Sequence, residues 1–75
     1  MDPNEIEQIR LAYKTATDQW VTAIREEEAL ATADHSMVVM ENWDAAQFKT
    51  QDAGTKAADA REAYKDALRG ANYGI

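Results

Sequence analysis

The sequence predicts an all-α protein built as an antiparallel two-helix hairpin. Strong helix formers dominate the composition, and the single proline stands at position 3. Apolar residues recur at alternating spacings of three and four along two separate segments, which is the spacing of one helix face. We therefore expect two long helices in coiled-coil-like contact along an alanine-rich seam.

The first helix is predicted to span about residues 3–33. Asp2 suits the N-cap, Pro3 suits the first helical position, and Glu5 is placed to complete a capping box. The apolar positions of this helix are Ile6, Ile9, Tyr13, Ala16, Trp20, Ala23 and Leu30, and Glu27 is their only polar interruption. This face is expected to pack against the second helix.

The turn is predicted at residues 33–36, where Asp34, His35 and Ser36 can bond to nearby backbone groups. The second helix is predicted over about residues 36–70, followed by a short C-terminal tail. Its seam positions are Val39, Trp43, Ala46, Thr50, Ala53, Ala57, Ala60, Tyr64, Ala67 and Ala71. We expect Gly70 to end this helix in the left-handed conformation.

A turn near residue 35 implies that facing residues have numbers that sum to about 70. The predicted seam pairs are Tyr13 with Ala57, Trp20 with Thr50, and Trp43 with Glu27. The same register sets Glu5 near Lys65 and Asp2 near Arg69. Large residues then face small ones, as interdigitating helices require.

Gly54 leaves two architectures open, because a glycine inside a helix costs about 1 kcal/mol relative to alanine. The glycine could allow close approach of two helices. Alternatively, Gly54 and Thr55 could end one helix and cap another, which would give a three-helix bundle. We favour the uninterrupted helix, since the apolar spacing passes through position 54 without losing phase.

Self-association is expected because a chain of 75 residues buries little surface by itself. Several large apolar residues fall off the seam, and a second copy would cover them: Leu11, Val21, Met37, Val38, Phe48 and Leu68. Two hairpins related by a two-fold axis would form a four-helix bundle. We therefore predict a homodimer.

The net charge of −6 is concentrated in the middle of the chain. Residues 26–44 carry six acids and no base, whereas the segments on either side sum to −1 and +1. The candidate partner-binding residues at this hairpin tip are Glu26, Glu27, Glu28, Asp34, His35, Glu41 and Asp44. The first hypothesis for function is a non-enzymatic protein–protein interaction module with an unknown protein partner. The alternatives are a metal-binding dimer that uses these carboxylates, and an acidic decoy that binds a basic protein surface.

The chain offers little for catalysis or for cofactor binding. Cysteine is absent, His35 and Ser36 lack an orienting acid and a nucleophile elbow, and the glycine spacings match no phosphate-binding loop. We therefore predict no catalytic residues and no cofactor. The acidic balance argues against nucleic acid, and the absence of a long apolar run or a signal-peptide pattern argues against a membrane and favours the cytoplasm.

Overall fold

The computed structural model describes residues 2–31 and 36–73, and it contains two helices in these segments. Helix α1 spans Pro3–Glu28 and helix α2 spans Met37–Tyr73. The two helices pack side by side, with the end of α1 against the beginning of α2. The predicted all-α hairpin is confirmed, and most of its predicted turn lies outside the described residues.

Helix α1 begins where the sequence predicts but ends earlier. The Asp2 carboxylate accepts a hydrogen bond from the Asn4 amide at 3.0 Å, so it caps the helix as expected. The return bond from Glu5 that would complete a capping box is not formed between these two described residues. The helix ends at Glu28 rather than near residue 33. Three successive glutamates stand in its last turn. Their negative charges are repelled by the negative end of the helix dipole, and this repulsion disfavours extension of the helix.

Helix α2 is continuous through Gly54, so the three-helix alternative is wrong. The helix begins after Ser36, whose hydroxyl accepts a hydrogen bond from the Val39 amide at 3.3 Å. It also continues past Gly70 to Tyr73, and Gly70 does not adopt a positive φ. The predicted end at residue 70 is therefore wrong. Ala71 continues the three-four spacing of the seam residues beyond Gly70.

The buried seam between the helices consists of small residues. Ala23, Ala57 and Ala67 are each only 3% exposed, and no large side chain is fully buried among the described residues. The larger seam residues, such as Ile9 and Tyr13, are only half-buried. The predicted alanine-rich seam is thus present, but it removes little apolar surface from water.

Cross-helix contacts are offset from the predicted register away from the tip. Trp43 meets Glu27 as expected, and Trp20 lies against Gly54, which is four residues beyond its predicted partner Thr50. Tyr13 lies beside Tyr64, with ring centroids 6.4 Å apart, and Tyr64 is seven residues beyond the predicted partner Ala57. Helical side chains lean toward the N-terminus of their own helix, so long side chains of α1 lean away from the tip and meet residues of α2 that are farther from it.

The predicted ion pairs between the chain ends are replaced by pairs within α2. Lys65 lies 3.9 Å from Glu62, and Arg69 lies 2.7 Å from Asp66. These partners stand three residues apart on one helix, where side chains are natural neighbours. Neither helix of the described chain has a stretch long and apolar enough to cross a lipid bilayer.

Candidate interaction surfaces

The acidic tip contains one carboxylate that is used inside the fold. The indole N–H of Trp43 donates to the Glu27 carboxylate, with Nε1 and Oε2 3.3 Å apart in a half-buried site. A buried indole N–H needs an acceptor, and Glu27 supplies it from the facing helix. The polar interruption of the first seam is therefore a structural contact.

A second acid of the tip is also engaged across the hairpin. Lys49 of α2 lies 3.1 Å from the Glu26 carboxylate, and both side chains are more than half exposed. Such an exposed pair contributes at most about 1 kcal/mol. Three acids remain that are exposed and make no ion pair with another described residue, and these are Glu28, Glu41 and Asp44. Asp34 and His35, which belong to the predicted tip set, lie outside the described residues.

The described residues of the tip do not form a metal site. No group of three or more acidic or histidine side chains in residues 2–31 and 36–73 is arranged to hold a metal ion. Glu26 and Glu27 already have partners on α2. Nothing in this part of the structure therefore favours the metal-binding alternative.

The six residues predicted for self-association are all exposed. Phe48 is 74% exposed and Met37 is 73% exposed, values near those of an unpacked side chain. The other four residues, Leu11, Val21, Val38 and Leu68, are also exposed large apolar side chains. The structure thus leaves this set free for contact with a partner, although it contains a single chain.

Three further large apolar residues are exposed, namely Trp20, Ile24 and Met40. Trp20 was predicted for the seam, and the other two were not among the residues predicted for self-association. Ile24 is 40% exposed because it immediately follows the buried Ala23 and so flanks the seam. Met40 follows the seam residue Val39 in the same way. The signal that would have identified both is their position one residue after a seam residue.

An open groove of about 450 Å³ runs along one side of the hairpin. Its lining carries charged side chains of both signs, including Asp18, Glu26, Asp52, Lys49 and Lys56. Some of these charges are paired, since Lys56 lies 3.0 Å from Asp52. This side of the molecule is a surface of mixed charge.

The open end of the hairpin, away from the turn, carries basic residues beside two tyrosines. Arg10, Lys14, Tyr13 and Tyr64 line a shallow depression there. The Arg10 guanidinium donates to the Glu7 carboxylate, with Nε and Oε2 2.9 Å apart, and this hydrogen bond lowers the pKa of Glu7. The two ends of the hairpin therefore differ in charge.

Comparison of the chain with protein-family models, with curated proteins and with solved structures finds no match.

Proposed function

We propose that the chain is a non-enzymatic protein-interaction module that acts as a homodimer. The observation that supports this most strongly is the contrast between its interior and its surface. Only alanines are buried among the described residues, whereas nine large apolar side chains are exposed. Burial of one large apolar side chain contributes about 1.5–3 kcal/mol, so association offers far more apolar burial than the hairpin seam does.

The size of the chain makes this argument stronger. A chain of 75 residues is close to the lower limit for an independently stable domain. It has no cysteine, so disulfide bonds cannot compensate for a small core. A second copy is the simplest source of the missing packing, and two hairpins would complete a four-helix bundle.

The test is the solution mass measured by light scattering over a concentration series, with and without a divalent metal ion. We expect a metal-independent mass of two chains that falls to one chain on dilution. A mass of one chain at every concentration would overturn the proposal. Assembly that requires the metal ion would overturn it in favour of the carboxylate-based metal dimer.

A further inference from the structure

The two broad sides of the hairpin differ in the number of large apolar side chains that they expose. We define the apolar face as the positions immediately after seam residues, and the polar face as the positions immediately before them. Glu26 and Lys49 both precede seam residues and pair across the helices, so these positions share one side. Most of the residues that line the groove also precede seam residues: Thr15, Gln19, Thr22, Glu26, Lys49, Asp52 and Lys56. The polar face is thus the side with the groove.

The other side exposes more of the large apolar side chains. Four of the nine, Val21, Ile24, Met40 and Leu68, lie on the apolar face, whereas one, Val38, lies on the polar face. Trp20 borders the apolar face, because its indole lies against Gly54, which also follows a seam residue. The face that needs a cover is therefore the apolar face.

The apolar face has the size of a stable interface. The Cα trace extends over 58 × 14 × 12 Å, so a broad side of the hairpin is 58 Å long and 14 Å wide. Each partner in a typical stable interface contributes roughly 800 Å², which is comparable with this side. A second copy of the same length and width would cover it completely.

Charges on the apolar face change sign along its length. Near the tip the face carries Glu28 and Asp44, both exposed and without an ion pair among the described residues. Near the open end it carries one acid, Glu7, and four bases, which are Arg10, Lys14, Arg61 and Lys65. The face is therefore acidic at one end and basic at the other.

The local partners of these bases leave them able to reach a second molecule. Lys14 pairs with Asp18, and both Arg61 and Lys65 lie within 4 Å of Glu62. All of these side chains are about half exposed or more. Exposed pairs of this kind contribute little, so a carboxylate from another chain can compete for the same bases.

We infer that two copies pack through their apolar faces in antiparallel orientation, with the tip of each hairpin over the open end of the other. This inference rests on the proposed homodimer and adds its face and its orientation. The two-fold axis is perpendicular to the long axis, so the contact between an acidic tip and a basic open end occurs twice in the dimer. The parallel orientation would place acidic tips together and basic ends together, and like charges would repel.

Reversal of charge at one end tests the orientation. The tip variant carries Glu28→Lys and Asp44→Lys, and the open-end variant carries Arg61→Glu and Lys65→Glu. We expect each variant to dimerise about tenfold more weakly or worse than the natural chain, because complementary pairs become repulsive. The chain with all four substitutions should regain the natural affinity, since the two ends are again complementary. Sedimentation equilibrium measures all four dissociation constants.

Control variants make the same charge changes away from the apolar face. Glu41→Lys with Asp59→Lys matches the tip variant in net charge, and Lys56→Glu with Arg69→Glu matches the open-end variant. These controls should stay within about threefold of the natural dimer affinity, an energy difference below 1 kcal/mol. Far-UV circular dichroism confirms that every variant keeps its helices.

The outcomes separate the inference from the proposed function. A natural chain that is monomeric at all concentrations overturns both. A natural dimer whose affinity is unchanged in both end variants overturns the antiparallel inference alone. Equal weakening by the end variants and by their controls would show that the charges act only through net charge, which also overturns the inference.

Discussion

Gly54 of α2 forms a close contact with the Trp20 indole of α1. A Cβ atom at this position would lie 3.0 Å from Nε1 and 3.2 Å from Cε2 of Trp20. The glycine is therefore tolerated inside α2 because the indole occupies the space that a side chain would fill. Gly70 differs, because a Cβ atom there would meet nothing within 4 Å.

Alanine substitutions at the two helical glycines should have different effects on the free energy of unfolding. Gly70→Ala should raise it by up to about 1 kcal/mol, since alanine favours helix. Gly54→Ala should gain less, because Trp20 must move. In a Trp20→Ala background, Gly54→Ala should gain the full amount of about 1 kcal/mol. Urea unfolding of the natural chain, the single variants and the double variant, all at the same protein concentration, measures these free energies. An equal gain from Gly54→Ala with and without Trp20 would contradict the role assigned to Trp20.

The two ends of helix α1 show how the local sequence determines where a helix begins and ends. The beginning of α1 follows directly from Asp2 and Pro3, whose side chains determine which backbone groups are free or capped. Its last turn contains Glu26, Glu27 and Glu28 together with Arg25, so the charges near the negative end of the dipole are mostly unfavourable. The linker therefore begins within the acidic segment rather than at Asp34.

Substitution of the N-cap should separate the cap from the predicted capping box. Asp2→Ala should lower the free energy of unfolding by about 1 kcal/mol, because the Asn4 amide loses its acceptor. Glu5→Ala should change it by less than about 0.5 kcal/mol, as expected for an exposed residue without a specific bond. Thermal and urea unfolding measure both values. A loss at Glu5 as large as that at Asp2 would show that the reciprocal bond forms in solution.

The whole molecule is a hairpin that leaves large apolar side chains exposed. If a second copy covers the apolar face, the melting temperature should rise with protein concentration, because association stabilises the folded state by mass action. An independent monomer would show no such dependence.

The neighbouring residues Val21 and Thr22 provide a close test, since they have similar shapes and lie on the apolar and polar faces respectively.

A lysine at each of these two positions should affect the dimer differently. Val21→Lys should weaken dimerisation at least tenfold, because it places a charge in the apolar face at a site that is 41% exposed in the single chain. Thr22→Lys should leave dimerisation nearly unchanged, because residue 22 lines the groove on the polar face. Light scattering and the concentration dependence of Tm measure both. Similar weakening by the two variants would argue against the assignment of the faces.

The sequence by itself determined the hairpin, its seam and the exposure of the off-seam apolar residues. Helix propensity and the three-four spacing are local properties, and they predict which residues face inward without knowledge of the partner. The contact between Trp43 and Glu27 and the N-cap at Asp2 were predicted on the same basis, and both are present. Exposure of Leu11, Phe48 and the other off-seam residues follows from the same periodicity.

Only the tertiary structure decided how the two seams are matched and which side of the hairpin is apolar. The pairing of Tyr13 with Tyr64 and of Trp20 with Gly54 depends on the lean of long side chains, which residue counting omits. The contact between Trp20 and Gly54 joins residues 34 positions apart in the sequence. Exposure of Ile24 and Met40 follows from the narrow alanine seam, since two helices in contact cover a stripe too thin to include flanking positions.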